Sequence, residues 1–215
     1  MPLQNRVTPL GELIATPERG LVYGNRGCLH DGRREIHRRY ATKRWIACRL
    51  HFRDRRRAQL MAPGRYTELF FLDEATALAA GHRPCAECRR ADYNQLREVW
   101  AVIHPDQIGV DAIDDQLQQE RLNARTGERR LHPDRYERLP DGTYVLDEGQ
   151  ACLLLRQQLL PWSAGGYLAP RTRPTKGAAT VVTPPSLVVL LGAARTPLVP
   201  LIHPSALALT ERRLA

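Results

Sequence analysis

Apolar residues in the first half of the chain recur with two different periods, which predict strands and helices in turn. The run 45–52 is rich in apolar, aromatic and β-branched residues, as is typical of a strand. The run 66–72 has the same character, and we expect it to pair antiparallel with the first strand. An alanine-rich helix is predicted at 74–80, because Asp73 can cap its first turn and Gly81 can end it.

Longer periodic runs follow. The segment from Ala86 to His104 has apolar residues at helical spacing and ends before a proline, so it is predicted to be a long helix. We further predict helices at 10–15, 111–122 and 185–194, a hairpin around 147–150, a strand at 180–183, a loop at 123–140 and an extended C-terminal tail. The expected fold class is α+β, divided into a basic region at 1–104 and an α+β C-terminal region at 105–215.

Composition narrows the class of protein. The chain has 215 residues, of which 43% are hydrophobic, so it can bury a substantial core. No apolar run approaches the roughly 20 residues of a membrane span, and the N-terminus lacks a signal-peptide pattern. We therefore expect a cytoplasmic protein with no membrane partner. In a reducing compartment its five cysteines are metal ligands or buried thiols rather than disulfides.

Positive charge is concentrated in the first half of the chain. The net charge is +9, and residues 1–90 contain 18 Lys and Arg against 9 Asp and Glu. Such an asymmetry predicts a polyanionic partner, most often nucleic acid. The candidate phosphate-binding residues are Arg33, Arg34, Arg38, Arg39, Lys43, Arg44, Arg53, Arg55, Arg56 and Arg57. Tyr40 and Trp45 interleave with them and could stack on bases. The alternatives are a solvated basic loop and a general use of Arg in place of Lys.

The run Gly81-His-Arg-Pro-Cys85-Ala-Glu-Cys88 is a candidate metal knuckle. Its two thiols stand at a spacing found in zinc sites, directly before a predicted helix whose positive end favours thiolates. A redox pair and two unrelated buried cysteines are the alternative interpretations. On the metal interpretation, zinc is the expected cofactor and the basic region is a small zinc-knuckle module of a β-hairpin plus helices.

Residues 44–90 resemble the zinc-binding N-terminal module of the Ada alkylation-response proteins. The match rests on Gly81, Arg83, Pro84, Cys85 and Cys88, preceded by an alanine-rich helix and a strand. The resemblance implies a zinc-binding, DNA-handling module with a role in DNA repair, and it favours DNA over RNA as the partner.

The upstream half of the site departs from that family. There a Cys-x-x-x-Cys pair follows the strand, and one of its thiolates accepts a methyl group from a DNA phosphotriester. Here the strand offers Cys48, with His51 three residues later. A set of Cys28, Cys48, Cys85 and Cys88 would form a closed structural site, with His51 as the alternate ligand and His30 as a less favoured one.

Two further groupings are candidates for chemistry. His30 and Asp31 lie beside Arg26 and could provide acid–base residues for a phosphodiester hydrolase. The triplets His104-Pro-Asp106 and His132-Pro-Asp134 pair an imidazole with a carboxylate, as metal hydrolases do, but such residues are also ordinary at helix ends and turns. A third hypothesis is an interaction protein whose zinc is purely structural.

Overall fold

A computed structural model describes residues 1–53, 59–194 and 197–211. These residues form two sheets and five α-helices, which confirms the α+β fold class. The first sheet contains β1 (Gln4–Val7), β2 (Leu13–Ala15), β3 (Val22–Asn25), β4 (Ile46–Arg49), β5 (Leu69–Phe71) and β6 (Arg83–Pro84). Its strand order is β2-β1-β5-β3-β4-β6.

The second sheet is built from the C-terminal half. It contains β7 (His132–Arg135), β8 (Tyr144–Asp147), β9 (Gln150–Leu155), β10 (Gln158–Ser163), β11 (Gly166–Tyr167), β12 (Arg171–Thr172) and β13 (Ala178–Val181). The order is β11-β10-β9-β8-β13-β7, and β12 pairs with β10. The antiparallel pair β8–β9 is the hairpin predicted around 147–150, with Asp147 opposite Gln150.

The helices are α1 (Glu74–Ala79), α2 (Arg90–Ile103), α3 (Val110–Arg121), α4 (Pro185–Leu191) and α5 (Pro204–Glu211). Helix α1 begins as predicted, because the Asp73 carboxylate accepts a hydrogen bond from the Thr76 N–H at 2.9 Å. It ends at Gly81, whose φ of +84° lies in the left-handed region. Helix α2 begins four residues later than predicted, since the turn holding the two thiols occupies the intervening chain.

The predicted pairing of the strands at 45–52 and 66–72 is wrong. Strand β3 lies between them and pairs antiparallel with both, so β4 and β5 are parallel to each other. Gly24 makes this possible: a Cβ there would lie 2.3 Å from the Ile46 carbonyl oxygen and 2.9 Å from the Phe71 ring. The glycine therefore marks close packing inside the sheet.

Two smaller predictions also fail, and a third is incomplete. The helix predicted at 10–15 is strand β2, which pairs with β1. The segment 123–140, predicted to be mostly loop, is so, but it also contains β7, which completes the edge of the second sheet, and a 3₁₀ turn at Tyr136–Arg138. The tail predicted to be extended contains α5, which contacts β11.

Helix α1 packs between the two sheets, and all six of its residues are buried. One core cluster joins Ala75 and Ala79 of this helix to residues of the second sheet, such as Leu153. Another joins its Ala77 to Leu69 and other residues of the first sheet. The division at residue 104 stays a prediction, but hydrophobic contacts cross it. Within the described ranges, no helix is both long and apolar enough to span a bilayer.

Candidate metal centre

Two parallel strands bring together three of the thiols that were predicted to bind metal. Strand β4 pairs with β6 so that Ala47 lies opposite Pro84, and the Cys85 N–H donates to the Ala47 carbonyl at 2.9 Å. Cys48 and Cys85 are the next residues along each strand, so they share one end of the pair. The turn after β6 then returns Cys88 to the same place.

The ligand atoms of Cys48, Cys85 and Cys88 all lie within 4.8 Å of one another. Tetrahedral zinc at about 2.3 Å from each sulfur would hold neighbouring sulfurs about 3.8 Å apart, which lies within this limit. Backbone N–H groups already point at two sulfurs: Arg49 donates to Cys88 at 3.4 Å and Glu87 donates to Cys85 at 3.4 Å. Such donors stabilise thiolates, and three thiols form a donor set that suits zinc.

Hydrogen bonding within the group favours a thiolate at one of the three sulfurs. Hydrogen bonds from Cys48 and then Cys88 hold the pKa of Cys85 well below its ordinary value. The pKa of Cys48 is raised, first by its hydrogen bond to Cys85, then by Cys88 and by burial. One proton-poor sulfur beside two protonated ones is a site that a cation can enter by displacing protons.

Cys28 and His51, the other two predicted ligands, lie outside this group. Asn25, at the end of β3, pairs with Ile46, whereas Cys48 pairs with Tyr23, so the chain leading to Cys28 leaves the sheet away from the thiols. The Cys28 sulfur lies 3.5 Å from the His30 carbonyl oxygen. His51 is exposed, two residues beyond Arg49, whose N–H contacts the Cys88 sulfur.

A buried cation cluster lies behind the metal centre, and the sequence did not reveal it. Trp45, directly before β4, is 2% exposed, and the guanidinium carbons of Arg26 and Arg121 lie 3.8 Å and 4.1 Å from its ring centroid. The Arg26 Nε–H donates to Nε2 of the fully buried His82 at 3.1 Å. Arg121 donates to the Gly81 carbonyl at 3.0 Å, so it ties the turn before the knuckle to α3. Trp45 is therefore unavailable for stacking on a base.

Buried ion pairs hold the knuckle to the helices. The Arg83 guanidinium makes a bidentate contact with the Asp114 carboxylate at 2.7 Å and 2.8 Å, and both side chains are at most 3% exposed. Arg89, directly after Cys88, pairs with Glu74 of α1 and with Asp92 of α2. The turn that carries the thiols is thus fixed to three helices.

The predicted phosphate-binding residues divide into different groups. Arg33, Arg34 and Arg38 are exposed, and in the described ranges no ion pair joins them to a carboxylate. The remaining described candidates make contacts within the chain: Lys43 with Asp115 at 2.7 Å, Arg44 with Asp111 at 2.9 Å, Arg39 with the Gly127 carbonyl at 3.3 Å, and Arg53 with Glu87 at 3.9 Å. Arg55, Arg56 and Arg57 lie outside the described residues.

The candidate acid–base residues are both engaged within the chain. His30 is 7% exposed; its Nδ1 lies 2.6 Å from the Thr67 hydroxyl and its Nε2 lies 3.3 Å from the Ala62 carbonyl. Asp31 accepts backbone N–H groups and contacts His37 at 3.0 Å, and these hydrogen bonds, His37 first, lower its pKa to about 2. Hydrolysis by this pair stays a prediction.

Asp31 also belongs to a second group of potential ligands. Its carboxylate lies within 4.8 Å of ligand atoms of Glu35 and His37. The group is on the surface of a basic loop, and two backbone N–H groups already occupy one Asp31 oxygen. Exposed acidic groups of this kind are common without an ion.

Comparison with known proteins gives no relative: no family model, curated protein or solved structure matches this chain. The inference of function therefore rests on the three thiols, the exposed arginines and their surroundings.

Proposed function

We propose that this chain is a zinc-binding protein whose metal fastens the turn 85–88 to strand β4. The observation that carries the proposal is the convergence of Cys48, Cys85 and Cys88, whose ligand atoms lie within 4.8 Å of one another. Cys48 precedes Cys85 by 37 residues, so its convergence with the Cys85–Cys88 turn is a property of the fold. Zinc bound here would stabilise the folded state, because the unfolded chain has no preformed site.

A water molecule or His51 supplies the fourth ligand in this proposal. His51 follows Arg49 by two residues, within the roughly 7 Å that two residues of chain can span. An open fourth position distinguishes this site from a closed four-thiolate site. The similarity to the Ada module supports the identity of the metal, and the replacement of its second upstream thiol supports a structural role over methyl transfer.

Metal analysis of purified variants tests the proposal. We expect the wild type to bind about one equivalent of thiol-dependent zinc, and we expect that equivalent to be lost from Cys48→Ser, Cys85→Ser and Cys88→Ser. Cys152→Ser is the control, since Cys152 is buried in β9 among residues of the second sheet. Cys28→Ser decides between the open site and the four-thiolate set. A zinc content of Cys85→Ser equal to that of the wild type would refute the assignment.

We also propose that the protein binds nucleic acid, DNA in preference to RNA, through the basic loop at 30–44. The supporting observations are the net charge of +9 and the exposure of Arg33, Arg34 and Arg38 without carboxylate partners in the described chain. These side chains are free to contact phosphates, whereas Lys43 and Arg44 face acidic residues of α3.

The salt dependence of binding tests this second proposal. Each phosphate contact with B-DNA contributes about 0.9 to the slope of log K against log salt, so three lost contacts lower it by about 2.7. We would measure anisotropy of labelled DNA and RNA with wild type and with Arg33, Arg34 and Arg38 changed together to Gln. Arg97→Gln, an exposed arginine on α2, is the control. Equal slopes for wild type and the triple variant would contradict the assignment.

A further inference from the structure

A pocket of about 450 Å³ is lined by residues between 103 and 189, none of which is one of the three thiols. It is open to solvent and is lined by the end of α2, the exposed face of α3, the start of β7 and the start of α4. His104 and His132, the two histidines of the His-Pro-Asp triplets, both line it, together with Glu120 and Ser186. The fold therefore places two imidazoles, 28 residues apart in the sequence, in the lining of one pocket.

Hydrogen bonds fix the tautomer of His132. Its Nε2 lies 2.6 Å from the backbone carbonyl oxygen of Glu120. A carbonyl oxygen can only accept, so Nε2 carries the proton. The lone pair of the neutral ring is then on Nδ1.

The tautomer of His104 follows from the same glutamate. The Glu120 carboxylate accepts from the Ser186 hydroxyl at 2.5 Å and from the Ser186 N–H at 3.0 Å. The Ser186 hydroxyl has therefore given its single proton to Glu120. The His104 Nε2 lies 2.9 Å from the Ser186 Oγ, so it must donate to that oxygen. His104 also has its lone pair on Nδ1.

Neither Nδ1 has a partner among the described residues, and neither is closed off from solvent. Both imidazoles thus present an accessible basic nitrogen while their other nitrogen is held by Glu120, directly or through Ser186. Metal-binding histidines show this arrangement: the second ring N–H donates to a carbonyl or carboxylate group, which orients the ring and raises its basicity.

We propose that His104 and His132 bind a divalent transition-metal ion through their Nδ1 atoms in this pocket. Imidazole nitrogen suits zinc, nickel, copper and cobalt, and water completes the coordination shell. Glu120 is a positioning residue, since its carboxylate is already occupied by Ser186 and by the Gln116 amide at 3.0 Å. The pocket leaves room beside the ion for a small ligand.

Loading with cobalt distinguishes an ion bound by the two histidines from an ion bound by the thiols. We expect the wild type, loaded with Co²⁺, to bind one more equivalent than His104→Gln or His132→Gln, while the thiolate-to-cobalt absorption is the same in all three proteins. Cys85→Ser should lose that absorption and keep the histidine-dependent ion. Failure of the thiol site and failure of the histidine site are therefore distinguishable.

His37→Gln is the control for the exposed group at Asp31. Equal cobalt stoichiometry in wild type and both pocket variants would overturn the proposal, as would loss of the extra ion in His37→Gln instead. A measurement on the wild type avoids dependence on the folding of variants: long-range ¹H–¹⁵N spectra recorded with added Zn²⁺ should shift Nδ1 of His104 and His132 and leave each Nε2 protonated. Unchanged Nδ1 resonances would likewise refute it.

Discussion

Acid should destabilise this protein through His82. The imidazole is fully buried, and its Nε2 accepts a hydrogen bond from Arg26, so the folded state holds the neutral ring. Burial, and then the nearby charges of Arg26, Arg121 and Arg129, hold the pKa of His82 well below its ordinary value. In the unfolded chain this histidine has a pKa of about 6.5. Below that pH the unfolded state binds one proton that the folded state cannot, and stability falls.

The size of the effect follows from proton linkage. One proton changes the free energy of unfolding by about 1.4 kcal/mol per pH unit, so between pH 6.5 and 5.0 the protein loses about 2 kcal/mol through His82. His132, whose pKa burial also lowers, adds a loss of the same sign. Acidic residues contribute too, but substitution of a single histidine isolates its share as a difference in slope.

Urea unfolding followed by tryptophan fluorescence, from pH 8 to pH 5, measures this difference. His82→Gln keeps an acceptor for Arg26 and removes the titrating ring. We expect it to reduce the acid slope by about 1.4 kcal/mol per pH unit below pH 6.5. Above pH 7.5 the slopes should coincide, which is the internal control. Proton uptake by the thiols occurs in both proteins and cancels. Parallel profiles down to pH 5 would refute this assignment of the acid sensitivity.

Two stability predictions come with matched controls. Asp114→Asn should destabilise the protein by about 3–5 kcal/mol, because it leaves the buried Arg83 unpaired. Asp115→Asn, on the exposed side of α3, should cost under about 1 kcal/mol. Denaturant midpoints measure both losses of stability, and similar losses would count against the importance of the buried pair. Gly81→Ala should destabilise more than Gly64→Ala in thermal unfolding. Both positions have positive φ, but only at Gly81 does a Cβ meet another side chain, at 2.8 Å.

Local chemistry predicted part of the candidate site. The Cys85–Cys88 spacing and the capping of α1 by Asp73 depend on residues close in sequence, so a pattern was sufficient to find them. Cys48 was found because a thiol in a predicted strand stood at the upstream position of a known module. Cys28 looked equivalent in the sequence, and only the direction in which the chain leaves β3 separates it from the others.

Tertiary packing decided what the sequence could not predict. The sequence around Gly24 indicates a turn-rich loop in which the backbone passes close to another group. The close approach is present, since the neighbouring Ile46 carbonyl leaves no space for a Cβ, but Gly24 lies in a strand between two others. Arginines are equally ambiguous: Arg26 and Arg33 each stand next to a glycine in the same turn-rich stretch of sequence, yet the first is 1% exposed and the second is on the surface. The charge pattern of the sequence shows how many cationic side chains there are, but not which of them are buried in the core.

The same two segments carry the metal ligands and the aromatic rings that contact the buried cations. Strand β4 begins after Trp45 and contains Cys48, while the chain leading to Cys85 carries His82. Strand β6 has only two residues, so few backbone hydrogen bonds hold it against β4. The guanidiniums packed behind it are costly to bury: burial first, and then the nearby charges of Arg129 and Arg83, lower the pKa of Arg121 to about 9, although Asp114 opposes the shift. A metal that joins Cys48 to Cys85 would fasten the end of the β4–β6 strand pair. The contribution of the metal to stability would therefore include holding the cation cluster together.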